Sequence, residues 1–290
     1  MNPMKQTATL LISCPDQKGI IARLSNFVFQ HGGNIVDSDH HTDFSVNRFL
    51  GRIEWEMAGF GLSKAELPVA LAAVADPMGG NEERPWRLHF SDEVPRLSIW
   101  CSRQDHCLLD LLWRFKAGEL KAAIPLILSN HADLEPIATQ FGIPFQYVAT
   151  NSGAKGEAEA KSLALLAQHQ VDLVVLAKYM QVLSDDFLRA FPSVMNIHHS
   201  FLPAFAGAQP YHQAHARGVK VIGATAHYVT PELDAGPIIE QEITRVSHRD
   251  TVEDLVRKGK DLERVVLSRA LRMHLQHRVL TYGNRTVVFE

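Results

Sequence analysis

The stretch Val171–His199, "VDLVVLAKYMQVLSDDFLRAFPSVMNIHH", decides the fold. "VDLVVLAKY" is short and almost wholly apolar, the mark of a strand buried on both faces at the centre of a parallel sheet. "SDDFLRAF" reads as a short helix, opened by Ser184, whose hydroxyl suits a helix start. "VMNIHH" then returns as a second apolar strand. That strand ends in an amide and imidazoles and runs into the Pro- and Gly-marked loop "SFLPAFAG", which reaches Gly207. Burial alone would not require such an ending. Sheets of this kind bind ligands outside the carboxyl ends of their strands, which is where the pattern places Asn196 and His198.

Outward from this unit, strands and helices alternate singly from Leu97. "RLSIWCS" precedes "CLLDLLWRFKAG", "AAIPLILSN" precedes "ADLEPIATQFG", and "PFQYVAT" precedes "GEAEAKSLALLAQHQ". The implied architecture is a Rossmann-like, mostly parallel α/β domain covered by helices on both faces. The first ninety or so residues follow another rhythm. "TATLLISC" reads as a strand and "IIARLSNFVFQHG" as a helix. "NIVDSDHHTD" and "RFLGRIEWEM" read as an antiparallel pair, "SKAELPVALAAVA" as a second helix and "WRLHF" as a closing strand. That order is βαββαβ, the ferredoxin-like split. Pro68 fits the second helix only within its first turn. "FSDEVPR" reads as a linker. The expected division is residues 1–91, a linker at 92–96, and a catalytic domain over 97–290.

Composition narrows the class. The chain has 290 residues, 46% of them hydrophobic and 21% charged, as in ordinary globular proteins. A net charge of -3 offers no broad basic field for nucleic acid. Cys14, Cys101 and Cys107 follow neither a zinc-ribbon nor a secreted-disulfide spacing. The opening residues lack the apolar core of a signal peptide, and no apolar run approaches membrane-spanning length. The expectation is a cytoplasmic protein with neither nucleic acid nor membrane as partner.

The chemistry begins with strand periodicity. Residues two apart share a face, so Asn196 and His198 point together into one crevice, while His199 points away or begins the loop. An amide and a protonated imidazole together can hold the negative oxygen formed when a carbonyl is attacked. A carboxylate is then needed to orient the imidazole and favour its charged form. "ATAHYVTPELDAGPII" supplies one, Asp234, in a loop after the strand that carries His227. Local roles also fit these residue types: Asn196 as a strand-end turn residue, His198 as a hydrogen-bonded half-buried imidazole, Asp234 as a turn cap. Metal binding by His198, His199 and His227 is disfavoured, because adjacent strand histidines diverge and no HExxH or CxxC spacing accompanies them.

"NIHHSFLPAFAG" followed by "TAHYVTPELDAGPII" resembles the fold that transfers formyl groups from 10-formyltetrahydrofolate. The resemblance covers about two thirds of the chain and implies Asn196, His198 and Asp234 as a catalytic trio. It also implies a folate site along "YMQVLS", with Met180, Gln181, Val182 and Leu183 on one wall and Pro231, Glu232 and Leu233 on the other. Within this fold, glycinamide ribonucleotide formyltransferases carry a Gly-rich loop after their first strand, suited to a phosphate. Here the segment is "IWCSRQDHCLLDLL", without glycine, and Arg103, Gln104, Asp105 and His106 would crowd that place. The added module comes first, whereas methionyl-tRNA formyltransferases carry theirs after the catalytic domain. Domain order, "HCLLDLL", "LAKYMQVLS" and "GATAHYVT" together resemble the formyltetrahydrofolate deformylases. The implied reaction is hydrolysis of 10-formyltetrahydrofolate to tetrahydrofolate and formate, feeding purine and one-carbon metabolism, with no metal and no tightly bound cofactor. Two alternatives stay open at this point: transfer to a small amine, and a non-catalytic, amino-acid-responsive regulator.

"ISCPDQKGIIARLSNFVFQHGGNIVDSD" resembles an ACT module. Such modules associate with one another and often bind amino acids, which implies a homo-oligomer and makes Asp16, Gly19 and Asn34 candidate effector contacts. Assembly alone is the competing role.

Overall fold

The N-terminal residues adopt the order read from the sequence. β1 (Thr7–Pro15), α1 (Ile20–Gln30), β2 (Ile35–Asp43), β3 (Arg48–Glu56), α2 (Leu67–Ala75) and β4 (Trp86–Phe90) follow one another, with a 3-10 turn at Asp76–Met78. The computed structural model describes residues 6–80, 84–150, 155–204 and 210–290. Phe205, Ala206 and Gly207, the end of the "SFLPAFAG" loop, lie outside them. The strands form an antiparallel sheet in the order β2-β3-β1-β4. α1 buries Ile20, Leu24, Phe27 and Val28, the spacing of one helical face. Pro68 sits in the first turn of α2, where its missing N–H costs no hydrogen bond.

The second unit comprises β5 (Arg96–Cys101), α3 (His106–Lys116), β6 (Ala123–Ser129), α4 (Glu135–Gln140), β7 (Phe145–Tyr147), α5 (Lys155–Gln168), β8 (Leu173–Leu176), α6 (Asp185–Ala190) and β9 (Val194–His198). It continues with α7 (Pro210–Arg217), β10 (Val221–Tyr228), β11 (Ile238–Arg245) and α8 (Val252–Leu275). The sheet order is β11-β10-β9-β8-β5-β6-β7. β9 through β7 run parallel, while β10 and β11 are antiparallel. From β5 the chain winds outward through β6 and β7, then crosses back to β8 and β9 on the other side. The loops after β5 and β8 therefore part, and a crevice opens between them at the carboxyl edge. Trp100 fills the layer beneath it, edge-on to Tyr179 and Phe187, with its indole N–H donating to Ser98 Oγ at 3.0 Å. Ser184 caps α6, its hydroxyl accepting from Phe187 N at 3.1 Å. Cys14, Cys101 and Cys107 are buried and form no disulfide, and burial pushes the Cys101 thiol up to about 12.

The C-terminal boundary differs from the expectation that the catalytic domain runs to residue 290. The compact units are residues up to Val94 together with Gln276–Glu290, and Pro95–Leu275. The tail forms a hairpin, β12 (Val279–Tyr282) and β13 (Arg285–Val288), within the first unit. Leu280 and Phe289 pack with Leu11 and Leu50 of the N-terminal sheet, which explains the recruitment: alternating apolar residues leave a second sheet face to cover. Arg52, also on that sheet, is buried between Asp37 and Glu54 and donates Nε–H to the His277 carbonyl at 3.1 Å.

Candidate active site

Cross-strand register assembles the centre. β9 and β10 pair with Asn196 opposite His227 and His198 opposite Thr225. Opposed residues lie close enough for their side chains to meet, and Asn196 Nδ2 is 3.2 Å from His227 Nε2. His227 Nδ1 lies 2.9 Å from the Tyr228 carbonyl. A carbonyl only accepts, so the proton is on Nδ1, leaving Nε2 to accept from the Asn196 amide. Burial lowers the His227 pKa, only partly opposed by that carbonyl hydrogen bond, and so favours this neutral ring. The β10–β11 register shifts between Ala226 and His227, a bulge that re-aims the strand at this point.

Asp234 arrives from the loop after β10. It adopts φ 55, a left-handed conformation that Asp tolerates better than most residues. The loop folds back so tightly that a Cβ on Gly236 would lie 1.8 Å from the Tyr228 carbonyl oxygen. Only glycine fits there. The result is a contact of 3.2 Å between Asp234 Oδ1 and His198 Nδ1, with His227 Nε2 at 4.0 Å from the same oxygen. Burial raises the Asp234 pKa, but the hydrogen bond and charge from His198 outweigh it and hold the carboxyl below 3.8. His198 Nε2 is buried and has no partner. The imidazole is thus anchored on one nitrogen and left without a hydrogen-bond partner on the other.

Asn196, His198 and Asp234 together line a cavity of about 440 Å³. Met180, Gln181, Val182 and Leu183 form part of the wall, and Pro231 and Leu233 another part. Met180, Val182 and Leu233 are 58%, 55% and 61% exposed, an apolar surface around the cavity that a flat heterocycle could cover. The wall loop is tied at both ends: Met180 N donates to Ser102 Oγ at 2.9 Å, and Ser184 N donates to Glu159 Oε1 at 2.8 Å. Ser102 in turn donates to Asn130 Oδ1 at 2.7 Å.

Some expectations need correction. Glu232 is exposed and is not among the residues lining the cavity; its carbonyl accepts from Thr230 Oγ1 at 3.1 Å. His199 begins the loop, the second of the two places expected for it, since the strand ends at His198; it lines the cavity with its ring stacked on His198, centroids 5.0 Å apart. Asp16, Gly19 and Asn34 do not meet within one chain. Asp16 lies beside the Pro15 end of β1, where its N–H reaches Asn47. Asn34 bonds Glu56, beside the Thr7 end of the same strand, and α1 separates the two. Among the described residues, the His, Cys and carboxylate atoms that cluster within 4.8 Å are those of His106, Cys107 and Glu263, not the three histidines of the cavity. Sequence reading passed over His227 as the partner of Asn196, and over Ser102 and Glu159. Only the isolated polar residue in an apolar strand, His227, left a signal.

His227→Phe should remove the acceptor that holds the Asn196 amide while keeping an aromatic ring in its place. Losing one such hydrogen bond predicts about a tenfold fall in kcat with KM nearly unchanged, read from steady-state kinetics. Protonating the wild-type ring would do the same, so activity should decline on the acid side of 6.5, the unperturbed value from which the ring is lowered. The Phe variant should lack that component of the pH profile.

The catalytic unit is a formyl transferase domain: the family model described as Formyl transferase matches residues 96–271. A formyltetrahydrofolate deformylase of Synechocystis sp. is 60% identical over 98% of both chains, and one of Bacillus subtilis is 47% identical over 97% of this chain and 93% of that one. The crystal structure of a formyltetrahydrofolate deformylase from Pseudomonas syringae superposes with a TM-score of 0.95 at 44% identity, covering 100% of this chain and 96% of that one. A glycinamide ribonucleotide transformylase from Symbiobacterium toebii shares 31% identity and a TM-score of 0.66 over 73% of this chain and all of that one (100%). The chain belongs to the formyltetrahydrofolate deformylase family.

Proposed function

We propose that the chain hydrolyses 10-formyltetrahydrofolate to tetrahydrofolate and formate, with Asn196, His198 and Asp234 as its reacting groups. The observation that carries this reading is the convergence of the three side chains on one cavity with an apolar wall. With Asp234 accepting from Nδ1–H, His198 keeps a lone pair on Nε2, the nitrogen left without a partner. That nitrogen draws a proton from water as the water oxygen bonds to the formyl carbon. The carbonyl oxygen becomes negative and receives hydrogen bonds from the second Asn196 N–H and from the newly protonated Nε2. Asp234, an ionised carboxylate, stabilises the imidazolium. As the bond to N10 breaks, N10 takes the proton and formate leaves. The pterin lies against the loop at 180–183, held by backbone groups and apolar side chains, with Pro231 and Leu233 opposite.

No separate metal or tightly bound cofactor enters this scheme. The N-terminal unit serves assembly into a homo-oligomer through its exposed sheet edge at β2; if it also takes an amino acid, the turn of Asp16 and Gly19 is its coherent contact surface. No helix among the described residues is long and apolar enough to cross a membrane. Incubating the protein with 10-formyltetrahydrofolate and no amine should release formate and tetrahydrofolate in equal amounts. A formyl donor left intact under these conditions would refute the reading.

A further inference from the structure

The cavity has a charged end as well as an apolar wall. Lys178 and His199 line it beside Asn196 and His198. The Lys178 ammonium is 3.3 Å from Glu263 Oε2, and the two side chains are only 5% and 1% exposed. Glu263 also accepts from Tyr211 OH at 2.8 Å and lies 2.7 Å from His106 Nε2. Space for this arrangement is built in: a Cβ on Gly259 would lie 2.0 Å from the Tyr211 hydroxyl oxygen. The start of α3, α7, α8 and the loop after β8 therefore meet on one carboxylate behind the cavity.

Two features of Lys178 oppose stability. Its φ of 64 is a backbone conformation that glycine adopts freely and lysine does not. Its ammonium is buried, and burying an ion pair rarely stabilises a fold more than apolar packing would. Residues held in sparsely populated conformations concentrate at functional sites. The fold itself does not select the attacking group, since a glycinamide ribonucleotide transformylase shares it. Local residues rather than the fold therefore make the choice, and those lining the cavity stand nearest the reacting centre.

We propose that the Lys178–Glu263 pair determines what attacks the formyl carbon. The lysine side chain fills and charges the end of the cavity beside Asn196 and His198, admitting water and excluding a primary amine, which is itself commonly cationic. His199 adds bulk without charge, since burial and the neighbouring Lys178 lower its pKa to about 4. Tyr211 and His106 keep Glu263 in place, and Glu263 keeps the ammonium from swinging outward. This inference rests on the reading of Asn196, His198 and Asp234 as the reacting centre. In hydrolysis the water oxygen bonds to carbon, the bond to N10 breaks, N10 gains a proton and formate leaves. With an amine, nitrogen bonds to the same carbon, N10 gains the amine's proton and a formamide leaves.

The test compares wild type with two double variants, Lys178→Gly/Glu263→Gln and Lys178→Asn/Glu263→Gln. Both shorten and neutralise the pair, and glycine and asparagine both accept the left-handed backbone. Each protein is given 10-formyltetrahydrofolate and excess glycinamide at mildly alkaline pH, and formate and N-formylglycinamide are quantified. The expected result is a ratio of amide to formate raised by about tenfold or more in the variants. A volume-preserving control, Lys178→Met/Glu263→Gln, should give less amide than the shortened variants. Wild type that releases no formate would sink the functional reading itself. Wild type that releases formate, with folded variants giving formate alone or no product, would overturn the role assigned to the pair. So would failure of both shortened variants to fold, which would make the pair a structural requirement.

Discussion

Asn196→Ala should lower kcat by about a hundred- to thousandfold while circular dichroism and thermal midpoint stay near wild type, the effect typical of deleting one donor to a developing oxyanion. The amide is half-buried at the end of β9, so its truncation removes little packing. Among the described residues its side chain meets His227 Nε2 at 3.2 Å, which is left able to accept from water. The loss should fall on kcat and on kcat/KM alike, because the interaction strengthens only as the carbonyl oxygen gains charge. Turnover within a few-fold of wild type in a folded variant would remove Asn196 from the mechanism.

Asp234→Asn should cost at least as much. An asparagine can accept from His198 Nδ1–H only through its oxygen, and its amide nitrogen would donate to Nδ1 instead. Donation would move the ring proton to Nε2, the nitrogen that must be bare to receive a proton from water. It also removes the negative charge that stabilises the imidazolium. Inverted tautomer and lost charge together predict a fall of about a thousandfold or more. Because the carboxyl is held below 3.8, Asp234 remains ionised through mildly acidic conditions and its titration should not shape the activity profile there. Affinity for the folate product, whose proposed seat is the wall loop, should change little. A marked loss of binding with unaltered kcat would instead assign Asp234 to ligand recognition.

The sequence disclosed the fold to the extent that burial wrote itself into periodicity. β8 and β9 are legible because strands covered on both faces have few polar positions. α1 is legible because one face is buried at regular spacing. β11 and α8 are less so: β11 is only partly buried, and α8 mixes Leu255, Val266 and Leu271 with many charges. The hairpin at the C-terminus is invisible to local reading, since its place depends on Leu11 and Leu50, hundreds of positions earlier in the chain. Much the same holds for the site. Asn196 and His198 stand two apart on one strand, and Asp234 sits in a Pro- and Gly-bracketed loop, so local pattern and resemblance reach them. The Asn196–His227 contact needs a strand register, and Lys178–Glu263 needs the packing of α8, neither of which is a local property. Glu232 stands outside the cavity lining for a related reason, because neighbours in a tight turn need not face the same way.

The loop from Met180 to Ser184, fastened through backbone amides to Ser102 at one end and Glu159 at the other, has a bearing on how freely this family can drift. A mould held through its main chain keeps its shape whatever side chains it bears, so Gln181 can be exchanged at small cost, whereas Val182 is itself part of the apolar surface. The constraint is transferred to the two anchors, which touch no ligand. Substitution there would slacken the whole mould at once, and the ligand would have to order it at each binding event.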